Sequence, residues 1–178
     1  MLEVGKRYTS PRTGTWLEVV ERAGGNMKFE RSYAPGTGRA DPHLHEDLTQ
    51  TWDALSGEGM IEVDGEERGF RTGDRVPIPP GTPHRDPWNP SSTELHVRGT
   101  FEPVVNFIEA YAEAYVHHLT ESGRLDDQDE MPLLQIFVTS KATNGRSWAA
   151  SPAIGIQKAS LRLLAAIGRL RGYKPSYD

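Results

Sequence analysis

Two histidines one residue apart, His43 and His45, and a third, His84, behind the turn Pro79-Pro80-Gly81-Thr82-Pro83, are the side chains of this 178-residue sequence best suited to chemistry. Successive side chains of a strand point to opposite faces, so His43 and His45 on one strand present both rings to the same space. Proline fixes its own backbone and restrains its neighbour, which presets the direction of His84. Two imidazoles from one strand and one from another suit a divalent metal. The chain has no cysteine, so imidazole, carboxylate or amide groups must hold such an ion; imidazole-rich sites take Fe, Mn, Ni, Zn or Cu. Gln50 and Asp47 compete for a fourth position. In an unbroken strand Asp47 shares the face of His45. Gln50 reaches that face only if the chain bends or bulges between Glu46 and Thr49.

These residues recur in a longer pattern. Gly38, His43, His45, Gln50 and Gly57 form a first block; Gly73, Pro79, Gly81, His84 and Asn89 form a second; a hairpin at Val63-Asp64-Gly65-Glu66 separates them. The two blocks, in this order and spacing, resemble the two motifs of the cupin superfamily over about residues 13–102. The resemblance implies a mainly β fold, a double-stranded β-helix (jelly-roll) barrel, with His43, His45, Gln50 and His84 at the metal positions. It also favours Gln50 over Asp47. The chain departs from the family in one respect: Gln50 stands where the family's usual ligand is Glu. A divalent ion with three histidines and a glutamate has a net charge of about +1, against about +2 with glutamine, which makes the ion a stronger Lewis acid and its bound water more acidic. Amide oxygen is also the weaker ligand.

The flanking elements follow from periodicity. Strands are expected at Thr15–Arg22, Asn26–Tyr33, Leu48–Leu55, Met60–Val63, Glu66–Phe70, around Val76–Ile78, and at Thr93–Thr100, with turns at Gly24-Gly25 and Asp64-Gly65. Alternation puts Phe29, Arg31 and Tyr33 on one face and Gln50, Trp52 and Ala54 on another. With Val76 and Ile78 they would line a small-molecule pocket, apolar and aromatic with few polar anchors, and Trp88 would form its rim. Arg31 either emerges solvated at a strand end or holds an anionic substrate inside the barrel. His96 reads as a surface or rim histidine.

After Phe101 the period changes to that of helices. Pro103 opens a helix whose apolar stripe is Val104, Phe107, Ile108, Tyr111, Tyr115 and Leu119, closed by Gly123. His117 and His118 fall on its surface and core. An acidic loop, 126–130, follows. Residues 132–140 suit a short helix or a strand. A last helix, capped at Ser151-Pro152 and stopped by Gly172, would pack through Ile156, Leu163, Leu164, Ile167 and Leu170 while carrying Lys158, Arg162, Arg169 and Arg171. No flexible linker separates these helices from the barrel, so residues 1–178 read as a single domain, barrel to about 102 and helical extension from 103.

Composition excludes several classes. A net charge of −5 disfavours nucleic acid. There is no apolar run of eighteen residues to span a membrane and no signal-peptide core at the start, and the absence of disulfides fits a cytoplasmic protein. Nothing resembles a nucleophile–base pair, a phosphate loop or a dinucleotide fingerprint. Two functions remain: a metal-dependent small-molecule enzyme, as a dioxygenase or an isomerase or lyase, and a non-catalytic ligand-binding or sensing module. In either, the apolar last helix suits a homodimer that weakens when residues 151–178 are removed.

Overall fold

The computed structural model describes residues 1–177. Two antiparallel sheets close on a shared apolar core. The first runs in the order β1 (Arg7–Thr9), β2 (Trp16–Ala23), β3 (Asn26–Tyr33), β10 (Leu95–Glu102), β5 (Thr49–Ser56) and β8 (Arg75–Ile78). The second runs β11 (Ser147–Ala149), β4 (His43–His45), β9 (His84–Trp88), β6 (Glu58–Val63) and β7 (Glu66–Arg71). This is the expected jelly-roll barrel with a C-terminal helical extension.

Turn chemistry sets the registers. Gly24-Gly25 and Asp64-Gly65 all have positive φ, and they join β2 to β3 and β6 to β7 as two-residue hairpins. Gly99 on β10 pairs with Phe29 on one side and Trp52 on the other. A Cβ there would lie 2.8 Å from the Phe29 ring and 3.0 Å from that of Trp52. The missing side chain lets these two rings meet edge-on, with centroids 5.5 Å apart.

Between β4 and β5 the chain leaves one sheet for the other at Glu46–Leu48. Leu48 is buried in the core at this crossing. The required bend is therefore present, and it turns Gln50 toward the same space as His45. The proline corner is tied to the same point, because the Gly81 N–H donates to the His45 carbonyl at 2.6 Å.

The extension comprises α1 (Asn106–His117), continued by a wider π-helical turn over His118–Ser122, then α2 (Leu133–Thr143) and α3 (Ile154–Leu170). Residues 133–140 thus belong to a helix rather than a strand, with Pro132 just before it. Phe107, Ile108 and Tyr115 of α1 and Leu119 of the π-helical turn bury into the same core as Leu17 and Met27. The extension is not purely helical. Its strand β11 pairs with β4, Ser147 opposite His45 and Ala149 opposite His43. Three residues are too short to show a period in sequence.

The packed face of α3 also differs from expectation. Ile156, Leu163 and Leu170 are exposed, and the residues turned inward are Gln157, Ala165 and Gly168. Close approach explains the exchange. A Cβ on Gly168 would lie 2.6 Å from Val138 Cγ2 and 2.9 Å from the Leu134 carbonyl, so only small residues fit against α2. Gln157 binds both the N–H and the carbonyl of Ala149, at 3.1 and 2.8 Å, fixing α3 to β11. Among the described residues no helix is long and apolar enough to cross a membrane.

A candidate metal centre and its cavity

His43, His45 and His84 come together: one ring nitrogen from each lies within 4.8 Å of the others. Gln50 joins them. Its Oε1 is 3.1 Å from His45 Nε2 and 2.8 Å from His84 Nε2. Asp47, the sequence alternative, takes no part in these contacts. Ligand atoms about 2.1 Å from one ion are about 3.0 Å apart at right angles and about 4.2 Å apart when opposite. The two Gln50 contacts lie close to the right-angle spacing, and the three imidazoles gather within 4.8 Å around them.

Backbone carbonyls fix which nitrogen faces inward. His43 Nδ1 lies 3.0 Å from the Asp41 carbonyl and His84 Nδ1 2.9 Å from that of Thr82. A carbonyl only accepts, so both Nδ1 atoms carry the proton and, in the neutral ring, both Nε2 atoms present lone pairs. Burial, reinforced by His43, lowers the pKa of His84 to about 4, and burial likewise holds His45 well below its ordinary value. His84 and His45 are therefore neutral near pH 7. At 2.8 Å the His84 lone pair faces the Gln50 oxygen with no proton between them. Two acceptors at that distance call for a cation, so the residues fit a divalent metal.

Three contributors were not visible in the sequence. Ser147 Oγ, from β11, lies 2.6 Å from His45 Nδ1. Asp86 on β9 accepts hydrogen bonds at Oδ1 from Gln50 Nε2 at 3.0 Å and Trp52 Nε1 at 3.1 Å. Its only sequence signal is parity, since His84 and Asp86 are two apart on one strand. Glu130, from the acidic loop before α2, meets Arg31 at 3.1 Å.

Beside the histidines lies a cavity of about 320 Å³. Phe29, Arg31 and Trp52 line it as expected, whereas Tyr33, Val76, Ile78 and Trp88 do not. Those four are buried instead in the core or between the sheets. The opposite wall belongs to the extension: Tyr111, Tyr115, Met131, Ile136 and Trp148. Arg31 is not a solvated strand end. It is buried, with its guanidinium 4.1 Å from the Tyr33 ring centroid and 4.7 Å from that of Tyr115. Burial raises Glu130 to about 8 against the opposing pull of Arg31. His96 sits on the outer side, bonded to Glu30 at 3.0 Å.

Residues 29–100 match the family model described as a cupin domain. The matched stretch lies within the barrel and resembles the cupin superfamily, with α1–α3 and β11 outside it. KdgF from a Halomonas species is 23% identical, with a TM-score of 0.48, covering 53% of this chain and 84% of that one. A protein of Thermus thermophilus is 24% identical, with a TM-score of 0.47, covering 55% and 90%. A sugar phosphate isomerase from a cupin superfamily, from Silicibacter pomeroyi, is 14% identical, with a TM-score of 0.47, covering 54% and 69%. These likenesses concern the fold alone. A search of the curated proteins finds no match.

Proposed function

We propose that this cupin holds a divalent metal through His43, His45, His84 and Gln50 and acts as an enzyme on a small molecule in the adjoining cavity. The observation that supports this most is the convergence of imidazole nitrogens and an amide oxygen, 2.8 to 3.1 Å apart, with no proton to separate His84 from Gln50. A bound ion would supply Lewis acidity toward an oxygen donor of the ligand. The protein's own groups supply the rest. Phe29, Trp52 and Met131 exclude water from the cavity wall, which strengthens each polar contact inside. Arg31 provides a fixed cation for an anionic ligand. Glu130, lifted by burial to about 8, keeps its proton near neutrality and leaves the Arg31 charge in place. A carboxyl that exchanges a proton near pH 7 within the ligand cavity suits an isomerase or lyase, which moves protons next to a carbonyl.

The test is metal content, by elemental mass spectrometry, of protein purified without a histidine tag, beside a His45→Ala/His84→Ala control. Near-stoichiometric Fe, Mn, Ni, Cu or Zn, absent from the control, is expected. Protein that stays metal-free after reconstitution would overturn the reading and leave a ligand-binding module.

A further inference from the structure

Resting on that metal reading, we infer that Asp86 is the anionic ligand of the centre, standing on β9 in place of the carboxylate that β5 lacks. Asp86 Oδ1 lies 3.8 Å from His43 Nε2 and 3.7 Å from His84 Nε2. Both separations fall between the ~3.0 and ~4.2 Å spanned by ligand atoms that share an ion with bonds of about 2.1 Å.

A second observation is the charge. The Asp86 side chain is about three-quarters buried, at 23% exposure, and its ion-pair partners are the His43 and His84 rings. The neighbouring Arg85 pairs instead with Glu62 at 3.0 Å. Sheltered charges are normally paired or bound to a metal, and no lysine or arginine of the described residues forms an ion pair with this carboxylate. Two N–H donors, Gln50 Nε2 and Trp52 Nε1, aim Oδ1 at the imidazoles. The same hydrogen bond prevents the Gln50 amide from turning over, because a reversed amide would oppose its oxygen to the carboxylate.

The consequence reverses an expectation from sequence. Three histidines and a glutamine leave a divalent ion near +2, but with Asp86 in the sphere the net charge returns to about +1, the value of a three-histidine, one-glutamate centre. The carboxylate has moved from β5 to β9, and the charge balance is kept.

Co(II) serves as the probe, with affinity measured by chelator competition and the ligand field read from the visible d–d spectrum. Wild type is compared with Asp86→Asn, Asp86→Glu, Gln50→Glu and the double variant Gln50→Glu/Asp86→Asn, with folding followed by circular dichroism. Asp86→Asn is expected to weaken binding by about 100-fold and to shift the d–d band. The double variant, which moves the carboxylate back to β5, recovers most of the loss, and Asp86→Glu binds within about tenfold of wild type. Binding by Asp86→Asn within about threefold of wild type would overturn the inference. So would a weakened affinity with an unchanged spectrum, which would reduce Asp86 to orienting Gln50. If Asp86→Asn fails to fold, the Asp86→Glu spectrum decides: an unshifted band counts against direct ligation. Wild type that binds no Co(II) sinks the metal reading itself, a result separate from any difference among the variants.

Discussion

His45 in the barrel and His118 in the helical extension have the same partners. Each has a serine hydroxyl at Nδ1, Ser147 or Ser122, and a glutamine oxygen 3.1 Å from Nε2, Gln50 or Gln135. Their surroundings differ in the balance of donors and acceptors. Around His118 the accounts close: Gln135 Oε1 also accepts from Tyr177 Oη at 2.8 Å, and Gln135 Nε2 donates to Thr139 Oγ1 and the Lys174 carbonyl at 3.0 and 2.8 Å. That is a satisfied structural network. Around His45, the Gln50 oxygen meets a second imidazole instead, and the Nε2 atoms of His43 and His84 and the Asp86 carboxylate crowd the same space. Residue types alone do not separate a core histidine from a proposed ligand; the excess of acceptors is what distinguishes His45.

The strongest way to break this comparison is to remove each imidazole. His45→Ala should abolish metal content. His118→Ala should leave metal content unchanged but cost about 2–4 kcal/mol in urea unfolding, because Ser122 and Gln135 lose a buried partner. A folded His118→Ala protein without metal would contradict the assignment. A smaller effect is expected from the serines. Ser147→Ala should weaken metal binding about 10-fold or more, as loss of an outer hydrogen bond to a ligand histidine does. Ser122→Ala should cost about 1 kcal/mol of stability and leave affinity unchanged. Equal metal affinities for the two variants would show that the hydroxyl on His45 is only structural.

The smallest effect is in pH. Burial holds His118 below its ordinary value of 6.5. Below pH 6.5 the unfolded chain binds a proton there that the folded protein resists, so this contribution to stability is present at pH 7 and declines as pH falls. The urea midpoint of His118→Gln should therefore drop less between about pH 7 and about pH 5 than that of the parent. Identical slopes would remove His118 from the acid response.

The barrel was legible because its strands alternate and its turns carry Gly-Gly and Asp-Gly pairs. His43, His45, Gln50 and His84 could be named together, and even the bend between His45 and Gln50 could be required before it was seen. Depth was not legible. Tyr33, Val76 and Ile78 have inward parity like Phe29 and Trp52, but parity separates inside from outside and says nothing of how far along the barrel a side chain sits. Asp86 had the right parity but no pattern to single it out. Ser147 and Glu130 had no local signal at all, since they reach the site only through contacts spanning 102 residues to His45 and 99 to Arg31. On α3 the hydrophobic pattern pointed to the larger side chains, and the tight approach to α2 selected the small ones.

The pairing of β11 with β4 sets an order of assembly. The histidine-bearing strand has its outer edge covered only when residues 147–149 dock along it. Loop-closure cost grows slowly with length, but contacts between distant parts of a chain form late. Until they do, β4 presents unpaired N–H and C=O groups, the kind of edge that recruits another strand, and His45 lacks its serine. One docking event both seals that edge and completes the support of His45. Folding intermediates should therefore be most prone to association while the site is still unfinished, and any ion bound by a chain not yet extended past Ala149 would meet a looser His45 than the finished protein offers.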